Sequence, residues 1–354
     1  MADGTWTPGP AGPVSAAPQG APTGPAPRRR TSVLAVLVGV FLVLSIVANA
    51  VLLVAVIGMA AALGESLGGG GIDDTYLERV VHRGPSSRKI AVIRIEGIIY
   101  DPLVAVVQKK LDRAARDEDV KAVIIRINSP GGYLTASDML YQAIRSFADE
   151  TGKPVVAAMD GVAASGGYYA ACAADRIVAQ RTTVTGSIGV IAQYFFLNGL
   201  LQDKLGIRTV TLKMGDQKDW PNMLAGDMTA EQRDYIMGAL LEPGYDQFVD
   251  VVAEAREMDR EKVLALATGR IFMAREAQAN GLIDEVGFFG RAVEVAMERA
   301  GIEEARVVEY IQPFGFLDLF GVSGRAASLL NLTPETILSL VAPSPQVMYL
   351  WTGR

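Results

Sequence analysis

Val120-Lys121-Ala122-Val123-Ile124-Ile125-Arg126-Ile127-Asn128-Ser129-Pro130-Gly131-Gly132 sets the fold class. Its first eight residues are mostly apolar and rich in β-branched side chains. A short run of this kind, bounded by a turn signal, reads as a buried strand. Ser129-Pro130-Gly131-Gly132 breaks the chain. Beyond it, Ala136–Phe147 has helical spacing. The unit is strand, tight turn, helix.

The same alternation extends in both directions. Upstream, Ile90–Ile95 is a β-branched run, and Leu103–Ala115 places Leu103, Val107 and Leu111 on one helical face. Downstream, Val155–Met159 is a third strand and Gly161–Ser165 a turn into another helix. Ile177–Ala179 and Ile188–Ala192 read as short strands, Asn198–Leu205 as helix, Thr209–Lys213 as extended. Glu231–Met258 is helical, interrupted at Pro243-Gly244. This pattern predicts an α/β fold with helices packed on a sheet.

Five segments are expected: a disordered cytoplasmic tail (1–32), a transmembrane anchor (33–63), a linker (64–88), a catalytic domain (89–311) and a C-terminal extension (312–354). The tail is rich in Pro, Gly and Ala, a composition that cannot bury enough apolar surface to order itself. Val33–Leu63 is almost wholly apolar and uncharged, longer than the roughly 20 residues that span a bilayer. A cleaved signal peptide, the competing reading, has an apolar region of roughly 7–15 residues. Arg28-Arg29-Arg30 precede the run, so the positive-inside rule keeps the tail in the cytoplasm and exports the chain beyond the anchor. Gly68-Gly69-Gly70-Gly71 reads as a flexible link.

Composition excludes several chemistries. The chain carries 33 Lys and Arg against 39 Asp and Glu, with no basic block after the anchor, so nucleic acid is not an expected partner. One cysteine, Cys172, and one histidine, His82, leave no disulfide framework and none of the usual zinc clusters. No metal or cofactor is expected. Cys172 lies in an apolar helical run and reads as a buried, inert thiol. His82 lies in a polar stretch read as linker, a poor place for a catalytic base that needs a fixed position.

Three loops follow predicted strands, where α/β sheets gather their ligand sites. Asn128–Gly132 carries paired glycines before a helix, either a plain turn or a place where N–H groups face an oxyanion. Ala163–Tyr169 carries Ser165 among small residues, either a helix cap or an exposed nucleophile. Lys213–Asp219 carries Lys213 and Lys218; lone lysines are ordinarily solvated, and one acts as a base only when desolvated.

Together these loops resemble the signal peptide peptidase A family, the S49 peptidases. Asn128–Gly132 is similar to its first glycine loop. Ala164-Ser165-Gly166-Gly167-Tyr168-Tyr169 resembles its nucleophile motif, and Thr185-Gly186-Ser187-Ile188-Gly189-Val190 its third signature. Lys213–Asp219 resembles the segment with its catalytic lysine. Gly269-Arg270-Ile271-Phe272, Ala277, Gly281-Leu282-Ile283-Asp284 and Gly287 resemble its closing signature. The resemblance covers roughly Lys89 to Ile302.

It implies a ClpP/crotonase-like spiral of βαβ units, preceded by one transmembrane helix. It implies a serine endopeptidase in which Ser165 attacks the scissile carbonyl and Lys218 takes its proton. Gly132 and Gly166 N–H groups form the oxyanion hole, and Ser187 orients the lysine ammonium. Substrates are signal-peptide remnants or other exported or membrane-associated peptides. Single-domain members form homo-oligomeric rings, commonly octamers. A silent membrane scaffold and an acyl-CoA-processing crotonase-like enzyme are the alternatives. Phe314–Phe320 is expected to pack in a core or interface, and Met348–Trp351 to dock on the body or on another subunit.

Overall fold

The computed structural model describes residues 37–49, 51–52, 76–224, 226–311 and 347–351. The chain divides into two units, Met1–Gly69 and Gly70–Arg354. In the first, residues 37–49 and 51–52 are helical and exposed. Among the described residues, no helix is long and apolar enough to cross a membrane. The expected tail, the rest of the expected anchor, Gly68–Gly71 and Phe314–Phe320 lie outside the described residues.

The second unit is built on a nine-stranded, mostly parallel sheet. Strands β1 (Leu77–His82), β2 (Lys89–Glu96), β3 (Val120–Ser129), β5 (Val155–Ala164), β6 (Arg176–Ala179), β10 (Glu285–Val286) and β11 (Arg306–Ile311) run in the order β1-β11-β2-β3-β5-β6-β10. Only β1 is antiparallel to its neighbour in this row. β7 (Val184–Gly186) joins β5 in parallel, and β9 (Ile271–Met273) joins β7 antiparallel. A separate three-stranded sheet holds β4 (Gly131–Tyr133), β12 (Val347–Leu350) and β8 (Ile191–Ala192) in the order β4-β12-β8.

The deciding stretch behaves as its composition requires. Val123, Ile125 and Ile127 of β3 enter one core, while Ala122 and Ile124 enter another on the opposite face. The first face is covered by α1 (Asp101–Arg116), α2 (Leu134–Thr151) and α5 (Glu242–Ala255), through residues such as Val107, Leu140 and Phe248. The second is covered by α8 (Phe289–Ala300), through Ala292, Val295 and Ala296. Parallel strands covered on both faces need apolar side chains on both. Each fully buried Ile contributes about 1.5–3 kcal/mol relative to exposure. The remaining helices are α3 (Gly166–Ala171), α4 (Ala230–Ile236), α6 (Arg260–Leu266) and α7 (Ala274–Ala279).

Several segments differ from their sequence reading. Leu77–His82, read as linker, is the edge strand β1; most of its side chains are exposed, so it lacks the alternation that marks a half-buried strand. His82 therefore closes a strand. Ile188–Ala192 contributes only Ile191–Ala192 as strand. Thr209–Lys213 pairs with no strand among the described residues, whereas Asn198–Leu205 is helical as expected, with a π-helical turn at Leu200–Lys204. The extended strand β5 runs on to Ala164, leaving Ser165 alone at the turn.

One part of the closing signature holds the sheet end together. Arg256 grips Asp284 with both terminal nitrogens, at 3.0 and 3.1 Å. Asp284 also accepts from the Ile177 N–H at 2.7 Å and from Arg176 at 3.0 Å. Burial by itself would raise the carboxyl pKa, but these hydrogen bonds, Arg256 first, outweigh it and hold the group below its ordinary value. A depressed folded pKa gives stability that is present above the unfolded value and lost as pH falls through the folded one. Unfolding titrations of Asp284→Ala should show a loss on the order of 3 kcal/mol at neutral pH, since Arg256 is left buried without its partner. The deficit should begin to shrink below about pH 4, where the unfolded chain protonates this group, and disappear as pH falls through the lower folded value.

Candidate active site

Parallel pairing brings the predicted loops together. Ser129 of β3 pairs with Ala163 of β5, and Ala164 pairs with Gly186 of β7. Ser165 and Ser187, the next residues along β5 and β7, therefore leave adjacent strand ends side by side. The glycine loop leaves β3 next to them.

Both serines hold a backbone that L-residues rarely adopt: φ 53° at Ser165 and 51° at Ser187. Such conformations cost of order 1–3 kcal/mol each and persist only where the surroundings enforce them. The Ser165 N–H donates to the Gly186 carbonyl at 2.8 Å, and its carbonyl accepts from the Tyr169 N–H at 2.9 Å. The Ser187 N–H donates to the Arg270 carbonyl, also at 2.8 Å. The turn at Ser165 is thus clamped from β7 and from α3. Its hydroxyl has no hydrogen-bond partner among the described residues, and the residue lines a cavity of about 670 Å³. Ser187, Tyr245, Thr268, Arg270 and Trp351 line the same cavity.

The glycines are required by close packing. A Cβ on Gly166 would stand 2.3 Å from Ser137 Oγ and 3.2 Å from Gly131 Cα. A Cβ on Gly132 would meet the Ile99 carbonyl oxygen at 2.0 Å. Gly166 opens α3, so its N–H has no partner within the helix. The loop before it is fixed by the Gly131 N–H, which donates to Ser129 Oγ at 3.1 Å.

Behind the Ser165 turn, α3 is locked. Tyr168 Oη donates to the Leu282 carbonyl at 2.8 Å, and Tyr169 Oη to Asp138 at 2.8 Å. Burial, with Cys172 and Asp138 nearby, raises both phenols above their ordinary range. Cys172 is buried at the end of α3, and desolvation pushes its thiol up to about 12, as an inert thiol requires.

Lys218 is placed differently. It is exposed in a turn closed by its own N–H on the Gly215 carbonyl at 3.2 Å. It does not line the Ser165 cavity, and its amine has no partner among the described residues. Lys218 makes no hydrogen bond to Ser165 or Ser187 among the described residues. Lys213, the second lysine of this segment, is engaged by Asp219 at 2.5 Å. Asp160, next to the turn, is held by Arg126 at 2.7 Å and Gln180 at 2.8 Å.

Some residues at the site carried no sequence signal. Ser137 Oγ is buried without a hydrogen bond against Gly166. Thr268 reaches the cavity from beyond α6. Leu350 and Trp351 reach it from the far end of the described chain, in the segment expected to dock on the body or on another subunit, which does pair with β4 and β8. A serine within an amphipathic helix and apolar residues outside the main motifs look like packing until the chain folds.

A family model for Peptidase family S49 matches residues 148–303, and one for Clp protease matches residues 86–194. An Enterococcus faecium protein assigned as a signal peptide peptidase SppA is 33% identical over 244 residues, 66% of this chain and 70% of that protein. The chain belongs to peptidase family S49. Among other S49 relatives, the chloroplastic Serine protease SPPA of Arabidopsis thaliana is 35% identical over 63% of this chain and 33% of its own length. Protease 4 of Haemophilus influenzae is 32% identical over 65% of this chain and 38% of its own. The alignment thus spans little more than a third of these two longer relatives. The S49 match takes in the Ser165 turn, β7, the lysine segment and the closing signature. The Clp match takes in β2 to β8 and accords with the mostly parallel sheet. The expected peptidase class and ClpP-like α/β fold both hold.

Proposed function

We propose that this S49 peptidase is a membrane-anchored serine endopeptidase with a Ser–Lys dyad. Ser165 attacks the scissile carbonyl; Lys218 takes its proton and returns it to the leaving amine. Gly132 and Gly166 N–H groups stabilise the oxyanion, and Ser187 orients the lysine. The observation that carries this reading is the strained Ser165 turn, which lines a cavity beside two glycine loops and Ser187.

The exposed position of Lys218 is part of the proposal. The segment leading to it bares Leu212 and Met214, each 93% exposed, and Val210 at 78%. Apolar side chains so exposed on the approach to a catalytic base favour burial against a second copy. The lysine then serves Ser165 of a neighbouring subunit in a homo-oligomeric ring, of the octameric kind common in the family. The apolar run 33–63 anchors the ring, with the tail cytoplasmic and the catalytic domain exported. Substrates are signal-peptide remnants and other exported or membrane-associated peptides, in keeping with the relatives' names.

The full chain in detergent micelles tests this. A serine-directed phosphonate should label Ser165 and stop cleavage of an apolar fluorogenic peptide. No labelling at Ser165 would sink the reading.

A further inference from the structure

One residue of α2 breaks the pattern of its own helix. Ser137, Leu140, Tyr141 and Ile144 share the i, i+3, i+4, i+7 stripe that faces the sheet, and all four are buried. The other three belong to the core on that face. A serine inside a helix ordinarily bonds back to the carbonyl one turn earlier or turns to water. Ser137 does neither: it is 0% exposed, and its Oγ has no hydrogen-bond partner among the described residues. Alanine forms helix better and leaves no polar atom unpaired, so helix stability and packing both favour alanine here. A buried polar group that costs stability and makes no contact for the fold points to a use outside the fold.

The surroundings say which use. Ser137 Oγ stands 2.3 Å from where a Cβ on Gly166 would be, so it lies against the Cα of the residue that follows Ser165. Gly131 Cα, in the other glycine loop, is 3.2 Å from the same point, and the Tyr349 carbonyl oxygen is 3.1 Å from it. The hydroxyl therefore meets the corner between the two glycine loops, a corner that admits a peptide carbonyl. Any side chain at position 166 would screen it; glycine leaves it bare.

Such a hydroxyl suits a developing charge. It rotates to meet an acceptor. Ser137 has no bond within the described residues to give up first, so donation costs little reorganisation. An oxyanion carries one more lone pair than a carbonyl. A donor idle in the ground state thus gains its acceptor as the tetrahedral intermediate forms, which is where binding energy speeds the reaction.

We propose that Ser137 is a further catalytic residue of this peptidase: its hydroxyl donates to the oxyanion beside the N–H groups of Gly132 and Gly166. Ser137 makes and breaks no covalent bond and keeps its proton throughout. The inference rests on Ser165 as nucleophile.

The test uses the full chain in detergent micelles, as wild type, Ser137→Ala and Ser137→Cys, the last keeping the side-chain shape with a weaker donor. An apolar fluorogenic peptide is the substrate. A peptide boronate of the same sequence, which forms a tetrahedral adduct on a serine, reports the oxyanion site, and the cleaved product peptide reports ground-state binding. Ser137→Ala should lower kcat about 10²-fold with KM little changed. Boronate affinity should fall by about the same factor, and product affinity should not. The melting temperature should hold or rise, because an unpaired buried hydroxyl is gone. Ser137→Cys should fall between the two, and it carries the test by itself if the alanine variant does not fold. Unchanged kcat and boronate affinity, in proteins labelled at Ser165 by the phosphonate, would make Ser137 a packing residue and overturn the proposal while leaving the nucleophile in place. Equal losses in kcat/KM and product affinity would overturn it too, since they mark a damaged groove. Wild type unlabelled at Ser165 would instead remove the nucleophile assignment, and the role of Ser137 with it.

Discussion

Ser165→Ala should lower kcat toward an apolar fluorogenic peptide by at least about 10⁴-fold, with melting temperature and near-UV dichroism retained. The size comes from covalent catalysis: without Oγ, only water and the oxyanion donors remain. The fold should survive because the hydroxyl makes no hydrogen bond among the described residues, so its removal orphans no partner there. Alanine must still adopt φ 53°, but the clamps from Gly186 and Tyr169 are main-chain contacts and remain. A variant retaining more than about a tenth of wild-type activity would show that another group attacks the carbonyl.

Lys218→Ala should be comparably inactive, and the two inactive proteins should restore each other. In a ring where the lysine reaches a neighbour's Ser165, co-refolding the variants in equal amounts creates intact sites. A heterologous interface gives a serine from one chain and a lysine from the next in about a quarter of sites, so about a quarter of wild-type activity should return. A dyad closed within one chain by movement of the 195–218 segment gives no recovery. Either result decides how the site is built, since Lys218 is exposed and does not line the Ser165 cavity. Lys213→Ala should leave most activity, because its ammonium is engaged by Asp219.

The readable parts of this protein are those where local chemistry leaves one choice. The apolar run of β3 allows only a strand covered on both faces. Gly131, Gly132, Gly166 and Gly167 mark the two close approaches at the site, and Ser165 stands at the turn its small neighbours predict. The edge strand β1 escapes a sequence reading because its exposed residues lack a buried periodicity, and Thr209–Lys213 imitates a strand because its exposed apolar residues alternate like one. Ser137 and Thr268 become visible only when non-local packing sets them against Gly166 and the cavity.

By itself the sequence determined the α/β class, the peptidase family and the order of the motif loops, because periodicity, turn chemistry and motif order are properties of neighbouring residues. The tertiary structure alone decided which strand ends stand together, through register such as Ala164 with Gly186. It alone left Lys218 exposed and off the lining of the Ser165 cavity, and laid Tyr349 beside Gly132. These are relations between residues far apart in the chain, fixed by sheet pairing and close packing, which no local pattern encodes.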